Sequence, residues 1–156
     1  MVILKKLAVP LVLAIGPVAV DLIGLRSGGA QEIAFRYAID NSPLDVTPKA
    51  GETLTNAVQE FRKTGENLYN GKSDAIADGK KLYLTHCQMC HLPDGSGGMG
   101  ATLVGDKHVY ERIAKDVGLF EVIFGGAAGA MQPFSKRMTQ DEILKVMAYL
   151  RTLMKN

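Results

Sequence analysis

The sequence predicts a small all-α fold of short helices and long loops, organised around a prosthetic group rather than around a large core of its own. Three observations lead there. Thr139-Gln140-Asp141-Glu142 is a capping box, and Ile143, Val146, Met147, Leu150, Leu153 and Met154 follow it as an apolar stripe. A second helical pattern, beginning near Asp74, runs directly into Cys87-Gln88-Met89-Cys90-His91. A glycine-rich stretch over residues 92–105 comes next, and no strand–helix alternation follows it.

Taken from the start, Met1 to Lys6 carries two lysines and Leu7 to Val20 is apolar, interrupted by Pro10 and Pro17. Ser27-Gly28-Gly29-Ala30 then offers small residues suited to cleavage after Ala30. Residues 1–30 are therefore expected to be a secretory signal peptide. A retained anchor over Leu7 to Leu25 would carry Asp21 and two prolines, so no stable membrane insertion is expected after cleavage. Residues 31–73 read as an N-terminal extension, irregular around Ser42-Pro43 and Thr47-Pro48. A short helix over Thr53 to Lys63 is expected within it, from the spacing of Leu54, Ala57, Val58 and Phe61, stopped by Thr64-Gly65. The extension is expected to pack around the domain, with a docking arm as the alternative. Residues 74–156 form the main domain. There Asp74 is expected to cap one helix and Asp116 another, the latter ending at Gly125-Gly126. Arg151 and Lys155 are expected to complement the negative end of the last helix.

The chain has 156 residues, enough for one domain. It carries 18 basic and 16 acidic side chains, a formal net charge of +2. Lys5, Lys6, Arg26 and Asp21 fall in the expected signal, so the remainder is balanced. No global basic field exists to gather nucleic acid, and no charge excess steers a distant partner.

Cys87 and Cys90 are the only cysteines, and with His91 they make the spacing of c-type haem attachment. Each thiol can form a thioether to one haem vinyl group, and the histidine offers an imidazole to the iron. A zinc site would need two more ligands from His86 and His108, and His86 adjoins Cys87. A thioredoxin-like dithiol would open a helix after a strand, whereas here a helical pattern precedes it. A structural disulfide is the remaining alternative. Gly95-Ser96-Gly97-Gly98-Met99-Gly100 has the dinucleotide-fingerprint spacing, but it follows the haem motif instead of a strand. Asp94-Gly95-Ser96 lacks the alternating oxygen ligands of a calcium loop.

His91 fills one axial position, and the other decides the chemistry: methionine favours electron transfer, an open position favours ligand activation. Met131 lies in Gly129-Ala130-Met131-Gln132-Pro133-Phe134, where glycine before and proline after argue for a fixed loop. It is the expected sixth ligand. Met138 precedes the capping threonine and is expected to pack on its helix, although it stays an alternative. Met89 and Met99 lie too close to the haem motif, and Met147 and Met154 sit on the apolar stripe. His108 is expected to be exposed or structurally bonded.

These residues resemble the class I cytochromes c over residues 74–154: Gly79, Leu82 and Tyr83 in the first helix, Cys87, Cys90 and His91 in the haem motif, Met131-Gln132-Pro133-Phe134 in the methionine loop, and Thr139 to Leu150 in the last helix. The resemblance implies that the first and last helices cross near Gly79 against Tyr149. Closer still, residues 87–97 and 116–131, with Ser42-Pro43-Leu44-Asp45-Val46-Thr47 and Thr64-Gly65-Glu66-Asn67, resemble the cytochrome c-L family. Gln132-Pro133-Phe134 is similar to the variants paired with lanthanide-dependent methanol dehydrogenase. One departure stands out: Gly100-Ala101 replaces the usual Gly-Pro whose carbonyl accepts from the ligand histidine, which leaves that loop's geometry open.

The resemblance implies a periplasmic one-electron carrier, not an enzyme, with one covalent haem c. It would take electrons from a quinoprotein methanol dehydrogenase and pass them to a downstream cytochrome c or oxidase. A general class I cytochrome, or a haem enzyme or gas sensor with an open sixth site, are the other readings. Lys107, Lys115, Lys136 and Arg137 are candidates for the rim of a docking face.

Overall fold

The computed structural model describes residues 33–154. The expected signal segment and Lys155 lie outside the described residues. Five helices follow in order: α1 (Asn56–Thr64), α2 (Ser73–His86), α3 (Gln88–His91), α4 (Asp116–Gly125) and α5 (Gln140–Leu153), with one 3-10 turn at Glu111–Ala114. Among the described residues the only β pairing is an isolated antiparallel bridge between Arg36 and Pro43. The all-α expectation is borne out.

Local chemistry sets both ends of α1 and the start of α5. Thr55 caps α1 by accepting from the Val58 N–H, and Gly65 closes it in the left-handed region at φ 77°. Thr139 and Glu142 form the complete capping box of α5. Two expected caps are corrected. Lys72 precedes α2, and Asp74 stands within its first turn, where its charge faces the positive end of the helix. Lys115 likewise precedes α4, and Asp116 is its first residue. The Asp116 carboxylate is occupied elsewhere. It accepts from Asn67 N at 3.2 Å and Asn70 Nδ2 at 2.7 Å, and it pairs with Arg151 at 2.7 Å. Arg151 therefore does not serve the end of its own helix as expected. It reaches back to α4 and also donates to the Ile113 carbonyl at 2.8 Å.

The core lies between α2 and α5. Tyr83, Ile143, Leu144, Val146 and Met147 are fully buried there. Gly79 makes the crossing close: a Cβ at this position would strike the backbone carbonyl of Lys145. Tyr149 stands one turn further along α5 and meets Tyr83 at 5.3 Å between ring centroids. The implied partnership is thus shared: Gly79 faces the α5 backbone, while Tyr83 takes the aromatic.

The N-terminal segment is part of this core. Phe35 joins Phe61 and Phe120 in a cluster with centroids 5.0–5.8 Å apart. Gln140, buried, donates from Nε2 to the Val46 carbonyl at 3.1 Å, and its backbone N–H donates to Glu52 at 2.6 Å. Lys49 reaches the Met138 carbonyl at 2.8 Å. The Arg36 N–H donates to the buried carboxylate of Glu121 at 2.7 Å. Burial pushes the Glu121 carboxyl up, against the opposing pull of that bond and of Arg112. Residues 33–55 are strapped over α4 and the start of α5 by these bonds, so the packing expectation replaces the docking arm.

Gly79→Val is expected to destabilise the fold by about 1–3 kcal/mol, because the added carbons meet backbone that cannot rotate away. Denaturant unfolding measures this, and an unchanged midpoint would contradict the close crossing.

Candidate haem site

Helix α2 delivers the site. Ile76, Gly79, Tyr83 and Cys87 share one face, as their spacing predicts: Gly79 and Tyr83 are buried, and Ile76 and Cys87 pack half-buried against the core. The chain then turns through α3, so Cys87, Cys90 and His91 follow within a single helical turn. Cys87 N donates to the Tyr83 carbonyl at 2.8 Å, and His91 N to the Cys87 carbonyl at 3.0 Å. The two thiols are free and half-buried.

The surroundings of Cys87 bear on the competing readings. Burial, followed by the neighbouring Cys90, pushes the Cys87 thiol up to about 12. A redox dithiol or a thiolate metal ligand needs a shift in the opposite direction. Among the described residues no group of three or more histidine, cysteine or acidic side chains could hold a metal ion. No disulfide joins the pair.

The imidazole of His91 is set by the glycine-rich loop. Its Nδ1 lies 2.8 Å from the Ala101 carbonyl oxygen. A carbonyl only accepts, so Nδ1 carries the hydrogen and Nε2 keeps its lone pair for an electrophile. Gly100 leaves room for the ring: a Cβ there would stand 2.7–3.1 Å from three ring atoms. The alanine in place of proline therefore still presents its carbonyl. Gly100 N donates back to the Cys90 carbonyl at 2.8 Å, which closes the loop on the motif. A covalently tethered, histidine-ligated iron porphyrin fits this donor set: two unpaired thiols and one imidazole with its tautomer fixed.

Sequence reasoning missed a second clamp. Leu92 leaves α3 at φ 63° and ψ 157°, a region otherwise kept for glycine, at a cost of about 1–3 kcal/mol. The hydroxyl of Tyr83 donates to the Leu92 carbonyl at 2.7 Å and holds the turn. Burial raises that hydroxyl above its ordinary range, with Cys87 adding to the effect, so it stays a donor. Only the aromatic at one face of α2 hinted at this role. Asp94, weighed as a calcium ligand, spends Oδ1 on the N–H and hydroxyl of Ser96 at 3.0 and 2.7 Å. The same Asp-x-Ser/Thr turn recurs at Asp40–Ser42 and Asp45–Thr47.

Met131 is half-buried against the core in the loop between α4 and α5. The loop is fixed by backbone bonds: Ala127 N donates to the Met131 carbonyl at 3.1 Å, and Phe134 N to the Ile123 carbonyl at 3.1 Å. Phe134 stands edge-on to His86 at 6.4 Å between centroids, which brings the methionine loop to the end of α2 beside Cys87. Met138, the alternative ligand, is 1% exposed in the core with Ile143, as a packing residue should be. His108 is neither exposed nor bonded as expected: it is half-buried and its Nδ1 has no partner. Lys107, Lys115, Lys136 and Arg137 are all exposed, and Arg137 lies 5.7 Å over the Phe134 ring.

Residues 74–150 match the family described as cytochrome c oxidase, cbb3-type, subunit III. The cytochrome c-L of Methylorubrum extorquens is 38% identical over 129 residues, 82% of this chain and 66% of that protein. The chain thus spans just under two thirds of that relative's length. The crystal structure of cytochrome cL from the marine methylotroph Methylophaga aminisulfidivorans matches with a TM-score of 0.77 at 39% identity, covering 79% of this chain and 82% of that one. Cytochrome cL from Hyphomicrobium denitrificans matches at 0.75 and 35% identity, covering 80% and 75%. Helical fold and site together define a class I c-type cytochrome, an electron-transport protein whose cofactor is covalently bound haem c. Within that class, the chain belongs to the cytochrome c-L family.

Gly100→Ala is expected to push the His91 ring off the Ala101 carbonyl. In nitrogen-15 NMR of the histidine, the protected Nδ1–H signal should be lost or moved. An unchanged signal would mean that the loop yields and the glycine is dispensable.

Proposed function

We propose that the chain is an exported one-electron carrier in which Cys87 and Cys90 would tether the haem and His91 and Met131 would hold its iron. The observation that carries this reading is the 2.8 Å contact of His91 Nδ1 with Ala101, beside two free thiols. Haem c supplies a one-electron Fe(III)/Fe(II) couple. The rest is done by the polypeptide. The Ala101 carbonyl makes the imidazole a better donor and fixes its plane. The Met131 thioether, a soft neutral donor, would favour the reduced metal and raise its potential. Pro133 and the backbone bonds of the 127–134 loop fix the backbone that carries Met131 without the help of a helix.

For the partner, we read a quinoprotein methanol dehydrogenase as donor and a downstream cytochrome c or oxidase as acceptor. What supports this is the extent of the likeness. The oxidase-subunit family covers only residues 74–150, whereas the alignment with a cytochrome c-L spans 129 residues and so runs beyond the haem module. The strapped segment 33–55, outside that module, contributes Phe35, Val46 and Glu52 to the fold. The haem-attachment chemistry supports a periplasmic location after removal of residues 1–30. Among the described residues no helix is long and apolar enough to cross a membrane.

Met131→Ala is expected to convert a low-spin iron that ignores carbon monoxide into one that is high-spin or binds it. An unchanged spectrum would reassign the ligand. Mixed with methanol dehydrogenase and methanol, the wild-type haem should be reduced in a salt-dependent reaction. Reduction only by a different dehydrogenase would discard the partner while leaving the ligands intact.

A further inference from the structure

The two most exposed large apolar side chains among the described residues are both methionines, Met99 at 83% and Met89 at 81%. A leucine at either place would present the same apolar surface, so what sets these positions apart is a thioether facing solvent. A thioether readily takes up an oxygen atom, which an aliphatic side chain does not. Both flank the haem motif. Met89 stands between Cys87 and Cys90. Met99 lies in a loop tied to α3, where Gly97 N donates to the His91 carbonyl at 3.1 Å and Gly100 N to the Cys90 carbonyl at 2.8 Å. That loop reaches His91 from its Nδ1 side, away from the nitrogen left for iron.

The other methionines beyond Met1 are each protected. Met138 and Met147 are sealed in the core. Met154 is half-buried, and its sulfur accepts from Arg151 Nη1 at 3.3 Å. Met131 is half-buried, and as an axial ligand it would hold its sulfur lone pair on the iron. Oxidation follows exposure, so an oxidant in solution meets the two sulfurs beside the haem motif first.

We propose that Met89 and Met99 are a sulfoxidation site for peroxides, consuming them beside the haem motif and sparing the thioether of Met131. The sparing of Met131 rests on the haem reading above. In the step, the sulfur lone pair attacks one oxygen of hydrogen peroxide and the O–O bond breaks. The sulfur is oxidised by two electrons and keeps that oxygen as a sulfoxide. The second oxygen leaves with both hydrogens as water. The products stay open to solvent, where methionine sulfoxide reductases can restore the thioethers.

The test uses the ferric holoprotein, treated with hydrogen peroxide in the presence of a chelator for free iron and mapped by peptide mass spectrometry. Met89 and Met99 should gain one oxygen about tenfold faster than Met131, Met138, Met147 or Met154. The double variant Met89→Leu/Met99→Leu keeps the apolar surface and the side-chain volume and loses only the oxidisable sulfurs. At a peroxide dose of one equivalent per exposed thioether, its iron should become open to carbon monoxide several-fold sooner than that of the wild type. Oxidation of Met131 or of the core methionines as fast as Met89 and Met99 would overturn the proposal. So would a double variant that keeps its ligation as long as the wild type does. Either result would leave the haem reading standing. A chain that carries no covalent haem would overturn both.

Discussion

A single imidazole is held from behind, and the rest of the molecule is arranged to make that hold rigid. The Ala101 carbonyl takes the Nδ1 hydrogen of His91, Gly100 leaves space for the ring, and Nε2 remains as the one nitrogen free to donate. The bond is worth having only if the histidine cannot drift. Its position is fixed by α3, which is separated from α2 by Cys87 alone, and by the Tyr83 hydroxyl on the next carbonyl. Tyr83 is in turn fixed because α2 lies hard against α5 at Gly79. The chain of constraint runs from a missing methyl group to the tautomer of His91.

The same economy explains how short helices suffice. None of the five exceeds 14 residues, and α4 is buried along almost its whole length. Such a helix needs cover on every side, and the segment before α1 provides it through Phe35, Leu44 and the Arg36–Glu121 bond. Buried Glu121 accepts a backbone N–H of that segment, and buried Gln140 gives its Nε2–H to a backbone carbonyl there. The extension is thus a condition of the core's stability, and it leaves the loops at the far end of α2 to serve the cofactor.

Much of this was legible in sequence where the signal is local. The capping box at Thr139, the stop at Gly65, the shared face of Ile76, Gly79, Tyr83 and Cys87, and the haem spacing itself all depend on neighbours within a few residues. What failed depended on partners far away. Asp74 and Asp116 looked like caps, but Asn67, Asn70 and Arg151 decide where Asp116 belongs. Ala101 was open to question because a backbone carbonyl leaves no trace in residue identity. The burial of His108 Nδ1 comes from a loop whose two anchors, at Ala101 and Tyr110, are both tertiary. That residues 31–73 pack on the domain was expected, but the partners of the strap were unreadable for the same reason: Gln140 and Val46 are 94 positions apart.

The ligand pair can be read directly by labelling all methionine methyl groups with carbon-13 in the reduced holoprotein. Beyond Met1 the chain has six methionines. A methyl held over the porphyrin face is displaced far outside the ordinary range by the ring current. The account predicts one such signal, lost when Met131 alone is replaced. A displaced signal belonging to Met99 or Met138, or none at all, would contradict it.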